Sequence, residues 1–165
     1  MDIIAFTENL HSPHDTTCCI SDICPWLFLL HTCGRGGVGI LVSNKFKIKC
    51  HYVQIYSSFE AVCIEVSNCS ITGYFLSLYR PPGITSSFFV DFHDLLENLV
   101  TIHPEVLILG DFNLHLDTHS NATSTFNDIL ASFDLKQHVS FSTHIHGNCH
   151  RWFIGSFDCH SRNKT

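Results

Sequence analysis

The hydrophobic period changes twice between Ile71 and Leu109, and that switch constrains the fold more than any other feature of the chain. Residues 71–79 read as a strand, and Pro81-Pro82-Gly83 stops it. Over residues 86–100, Phe88, Phe89, Phe92, Leu95, Leu96 and Leu99 fall three and four apart, the spacing of one helix face. Asp91 is placed in the first turn of that helix, where the dipole favours an acid, and Pro104 lies just beyond its end. Residues 106–109 are again strand-like and run into Gly110-Asp111-Phe112-Asn113. Strand pieces alternating with helix pieces predict a layered α/β or α+β architecture. The 165 residues suffice for one domain, which buries roughly 68–70% of its unfolded surface at this size.

The rest of the chain fits that scheme. Residues 3–6 read as a short buried strand ending at Thr7-Glu8, and residues 9–22 as a polar loop. Residues 26–31 and 38–43 read as strands around the turn Gly34-Arg35-Gly36-Gly37. Lys45, Lys47 and Lys49 alternate with Phe46 and Ile48, so one face of this ribbon is basic and the other apolar. Residues 59–66 pair with 71–79 as a hairpin across Ser67-Asn68-Cys69-Ser70. A second helix is predicted over residues 125–133, with Phe126, Ile129, Leu130 and Phe133 on one face and Thr125 and Asp128 as a capping box. Residues 139–142 suggest a last strand, and after Gly147 the pattern degrades.

Composition excludes several classes of function. Nine Lys and Arg against 15 Asp and Glu give a net charge of −6, so phosphate must be held by local groups rather than a bulk positive field. The 13 His offset that charge near pH 6.5. The longest apolar stretch is the eight residues 23–30, far short of the ~18 that a membrane span needs. The opening Met1-Asp2-Ile3-Ile4 has no basic region and is no signal peptide, so an intracellular protein with reduced cysteines is expected, not a secreted one. Gly34-Arg35-Gly36-Gly37-Val38-Gly39 spells a dinucleotide-binding motif with Glu60 downstream. The residues after it, 38–43, read as strand instead of helix, so no nucleotide cofactor is expected. No Cys-x-x-Cys occurs, and neither Cys18-Cys19 with Cys24 nor His115 with His119 completes a structural zinc set.

Three strand readings end in residues suited to phosphoryl chemistry: Glu8, Tyr79-Arg80, and Asp111 with Asn113. Sites on α/β folds collect at such ends, where loops carry polar groups on a rigid support. Mg²⁺ needs only one or two protein carboxylates there. The carrying segments are Asp2-Ile3-Ile4-Ala5-Phe6-Thr7-Glu8, Gly36-Gly37-Val38-Gly39-Ile40-Leu41, Leu78-Tyr79-Arg80-Pro81-Pro82, Ile108-Leu109-Gly110-Asp111-Phe112-Asn113 and Phe141-Ser142-Thr143-His144. In these segments and their order the chain resembles the endonuclease/exonuclease/phosphatase superfamily, most nearly the apurinic-type endonuclease domain of LINE-type (non-LTR) retrotransposons. The resemblance implies a four-layer α/β sandwich and Mg²⁺-dependent (or Mn²⁺-dependent) hydrolysis of DNA phosphodiesters. By position it implies Glu8 as metal ligand, Asp111 as the base that orients or deprotonates water, and Asn113 and Tyr79 as phosphate contacts. Arg80, Lys45, Lys47 and Lys49 are the expected further nucleic-acid contacts.

The chain also departs from that pattern. The resemblance implies a first strand with a metal-site Asn ahead of Asp2-Ile3, and that strand is expected to be absent. Arg151 stands where the resemblance implies the acid of a Leu-Asp pair, and the later Ser-Asp-His motif is lacking. The expectation is therefore a domain over residues 1–147, incomplete at both ends, followed by a divergent tail over 148–165. Such a copy is expected to be a weak or inactive nuclease. The alternatives are a non-catalytic remnant that binds DNA or protein, and a relic without selected function. Action on chromosomal DNA would place it in the nucleus, although no Lys/Arg-rich import cluster occurs.

Overall fold

A computed structural model describes residues 3–7, 26–31, 37–68, 72–83, 86–102, 105–114, 120–138 and 151–155. In chain order the elements are β1 (Ile3–Thr7), β2 (Trp26–His31), β3 (Val38–Ser43), β4 (Lys47–Ile55), β5 (Glu60–Ser67), β6 (Thr72–Tyr79), α1 (Ser86–Ile102), β7 (Val106–Asp111), α2 (Asn121–Ser132), β8 (Lys136–Gln137) and β9 (Arg151–Gly155). They form a three-stranded sheet of order β1-β3-β2 and a six-stranded sheet of order β4-β5-β6-β7-β9-β8. Among the described strands of the larger sheet, only β6 and β7 run parallel. Parallel neighbours need a crossover connection, and α1 supplies it. The double change of period between Ile71 and Leu109 is thus a β-α-β unit.

Alternation along β5 and β6 makes the layers. Ala61, Cys63, Leu76 and Leu78 face the helices, and pack with Phe88, Phe92, Leu95, Leu96 and Leu99 of α1 and Phe126 and Leu130 of α2. Val62, Ile64, Val66, Phe75 and Tyr79 face the small sheet, against Val38, Ile40 and Val42. Among the described residues, helices, six-stranded sheet and three-stranded sheet stack as layers of an α/β sandwich. Stacked rings dominate the helix side: Phe92 lies 5.5 Å from Phe88 and 5.3 Å from Phe126. Phe112 joins them edge-on, 5.2 Å from Phe126 and 5.7 Å from Phe92, so the middle of the Gly-Asp-Phe-Asn segment is anchored in the core. Cys63 is buried in the same core.

Several local readings need correction. α2 begins at Asn121 and not at Thr125, because the Ser120 hydroxyl accepts the Thr123 N–H at 3.2 Å and caps the helix. Thr125 is interior, its hydroxyl donating to the Asn121 carbonyl, so the Thr125/Asp128 capping box does not form. Asp91 lies beyond the first turn of α1, and it accepts a hydrogen bond from Ser58 at 2.6 Å. Where the pattern degrades after Gly147, Arg151–Gly155 nevertheless forms β9, which pairs with β7 inside the sheet that the earlier residues build. Val38–Ser43 is a strand, not the helix a dinucleotide motif requires. Glu8, the loop over 9–22, the Gly34-Arg35-Gly36 turn, the 139–142 strand and Thr143-His144 lie outside the described residues. No helix among the described residues is long and apolar enough to cross a membrane.

Candidate active site

Strand register brings the central residues together. Tyr79 ends β6 and Asp111 ends β7, and the two are register partners in the parallel pair. Adjacent strands lie about 4.8 Å apart. Both residues are on the sheet face that meets the small sheet. Glu60, the first residue of β5, is the register partner of Tyr79 across the other edge of β6. Glu60, Tyr79 and Asp111 therefore form one row across three strands, at 2%, 4% and 8% exposure. On the far side of β7, Arg151 of β9 is the register partner of Asp111. The residue expected to replace a family acid thus stands next to the expected base in the sheet.

The turn after β7 sets Asn113. The Asp111 carboxylate accepts the Asn113 backbone N–H at 3.0 Å, an Asx-type turn. Asn113 takes the left-handed conformation, φ 47°, which asparagine tolerates better than most residues. Its side-chain Nδ2 donates to the Arg80 carbonyl at 2.7 Å, and the Arg80 N–H donates to the Asp111 carbonyl at 2.9 Å. The end of β6 and the turn after β7 are thereby laced together. β1 crosses beside them, with the Ser77 hydroxyl donating to the Phe6 carbonyl at 3.5 Å. Thr7 is the last described residue before Glu8, which itself lies outside the described residues.

Arg80, expected as a nucleic-acid contact, lies in the interior. It is buried to 1% exposure, and its Nη1 donates to the carbonyls of Phe112 at 3.0 Å and Asn113 at 3.2 Å. Nη2 donates to the Gly83 carbonyl. The guanidinium carbon lies 5.0 Å from the centre of the Phe88 ring. Burial pushes its pKa down from the usual arginine value, yet an arginine remains charged. The sequence exposed the position but not this role, because strand-end arginines ordinarily reach solvent.

The three lysines do not join the site either. Lys45, Lys47 and Lys49 are exposed while Phe46 and Ile48 pack inward, as the alternation predicts. β4 is the edge strand, and Lys47 is registered through Ser67 to Thr72, at the opposite end of β6 from Tyr79. Seven residues of strand separate the two ends, roughly 23 Å at about 3.3 Å per residue. Lys49 sits at a bulge and pairs with Glu65 at 2.8 Å. All three therefore lie along the β4 end of the described sheet order, away from the Tyr79–Asp111 row.

Glu60 is the residue that sequence reasoning passed over, considering it only as a ribose ligand. Its signal was an acid opening a strand whose next four residues, Ala61 to Ile64, are apolar and buried. The donors available to a cation at this row are carboxylate and amide oxygens, the ligand type that suits Mg²⁺ or Mn²⁺. Among the described residues, His93, Asp94 and Glu97 bring three ligand atoms within 4.8 Å of one another. They lie on α1, beyond the opposite face of the six-stranded sheet, and belong to no part of this site.

No family model and no curated protein matches the chain. Solved structures do. The human Nocturnin catalytic domain with bound sulfate superposes with a TM-score of 0.69 at 14% identity, covering 94% of this chain and 69% of that one. An endonuclease/exonuclease/phosphatase family protein from Bacteroides thetaiotaomicron gives 0.60 at 10% identity, covering 80% and 60%. D. rerio TDP2 complexed with a single-strand DNA product gives 0.54 at 13% identity, covering 80% and 62%. The chain spans 60 to 69% of the length of these three. The fold is thus the α/β fold of endonuclease/exonuclease/phosphatase proteins.

Proposed function

On that fold, we propose that this chain hydrolyses phosphodiester bonds of DNA with the help of a divalent cation, as a weak relative of the LINE-type retrotransposon endonucleases. The observation that carries this reading is the register of Tyr79 with Asp111, together with the Asp111–Asn113 turn. A base, a phenol and an amide from separate segments meet at the ends of two parallel strands. The wider family likeness and the single-strand DNA product held by D. rerio TDP2 favour DNA as the substrate.

Asp111 takes a proton from the attacking water, and its carboxylate is oriented by the Asn113 N–H. Tyr79 and Asn113 are the donors to the non-bridging phosphate oxygens as charge develops there. Glu8 would hold Mg²⁺ or Mn²⁺, with water and substrate oxygens completing the shell. The cation, when bound, supplies a positive charge that polarises the phosphoryl group. Burial of the Glu60–Tyr79–Asp111 row excludes bulk water and strengthens each of these interactions.

Weak activity is attributed to Arg151. The register partner of Asp111 is a cation where the resemblance implies a second carboxylate. An acid/base group typically contributes about 10²–10⁴-fold in rate. Arg151→Asp is accordingly expected to raise the nicking rate of supercoiled plasmid about tenfold. An unchanged or lower rate in a folded Arg151→Asp protein would remove Arg151 as the cause.

A further inference from the structure

Among the described residues, the buried guanidinium of Arg80 meets carbonyl oxygens and one aromatic face. Its fork reaches Phe112, Asn113 and Gly83, three carbonyls on two turns distant in sequence. Nε is buried as well, with no hydrogen-bond partner among the described residues. The Asn113 amide returns the contact through the Arg80 carbonyl. Residues 112 and 113 are thus gripped from both sides at the point where the backbone turns left-handed. A buried charge is costly to hold without a carboxylate beside it. Among the described residues, carbonyl oxygens and a ring face surround the guanidinium instead, and the directions of those carbonyls fix the geometry of the turn.

We propose that Arg80 is the positioning residue of this site, its guanidinium fixing the left-handed turn at Asn113 and so the directions of the Asn113 amide and the Asp111 carboxylate. Arg80 touches no substrate. It acts through Asn113, whose carbonyl it holds from below while the Asn113 side chain spans back to β6. Lysine cannot replace it. An ammonium keeps the charge but cannot reach three carbonyls in a planar fork. The role presupposes the hydrolytic site proposed above, and its test separates the two.

The experiment uses the full 165-residue chain labelled with ¹⁵N, as wild type, Arg80→Lys, Asn113→Ala and the double variant. Asn113→Ala identifies the Asn113 side-chain amide pair in the spectrum. In Arg80→Lys that pair is expected to move to the position of a free amide, with the remaining spectrum largely unchanged. Plasmid nicking is expected to lose about 10²-fold in kcat with little change in KM. In the Asn113→Ala background the further loss from Arg80→Lys is expected to shrink below threefold, since both act through one group. An Asn113 pair that stays in place in folded Arg80→Lys overturns the proposal. Fully additive losses also overturn it. If wild type nicks nothing but the amide pair moves, the positioning role stands and the hydrolytic function falls. Failure of both Arg80→Lys and Arg80→Gln to fold reduces Arg80 to a structural brace and overturns positioning.

Discussion

Asp111→Asn should nick supercoiled DNA about 10²–10⁴-fold more slowly than wild type while melting at nearly the same temperature. Asparagine is isosteric with aspartate. Its side-chain oxygen still accepts the Asn113 N–H, so the turn after β7 keeps its shape. The backbone bond from the Arg80 N–H to the carbonyl of residue 111 is also untouched. What disappears is the capacity to take a proton from water. The rate loss corresponds to about 2.7–5.5 kcal/mol in the barrier. Single-turnover nicking measures it, and running the pair again in the Arg151→Asp background widens the measurable range. A folded Asp111→Asn protein within twofold of wild type would mean that Asp111 is no base.

Gly110→Ala is expected to damage the fold itself. Gly110 of β7 is registered against Leu78 of β6. A Cβ built at residue 110 overlaps the Leu78 carbonyl oxygen and comes within 2.9 Å of the Leu78 carbonyl carbon. Those are backbone atoms of the paired strand, so no side-chain rotation relieves the clash. Overpacking ordinarily costs about 1–3 kcal/mol, and a clash with fixed backbone belongs at or above the upper end. At about 2–4 °C per kcal/mol for a chain of this length, the melting midpoint should fall by roughly 6–12 °C. Nicking should fall as well, because Asp111 and Tyr79 adjoin the displaced pair. Thermal melting of the two proteins decides it, and a midpoint within 2 °C of wild type would show that β6 and β7 are not so closely paired.

The legible parts of this molecule were those set by hydrophobic period. β5, β6, α1 and β7 bury one or both faces, so their apolar residues recur at the spacing of the element, and their placement was readable to within a few residues. The start of α2 was misread because Ser120 caps it well before the apolar face begins, and a cap leaves no periodic mark. β9 escaped notice for another reason. Its five residues are too few to show a period, and what makes them a strand is the free edge of β7. At the candidate site, Asp111, Asn113 and Tyr79 were singled out by type and order, and register sets Asp111 and Tyr79 side by side. The fate of Arg80 was not legible, since only packing distinguishes a surface arginine from one folded beneath a turn. Nor was Glu60 beside Tyr79, because a sequence does not show which residues of two paired strands stand opposite each other.

One measurement bears most directly on the hydrolytic reading: conversion of supercoiled plasmid to nicked circles by purified wild-type chain, with Mg²⁺ or Mn²⁺ and then with excess chelator, beside Glu8→Gln and Asp111→Asn. The predicted result is slow nicking that requires the metal, stops with chelator and is lost in both variants. Nicking that survives chelation and both substitutions, or a folded wild-type chain that cuts nothing with either metal, would contradict it.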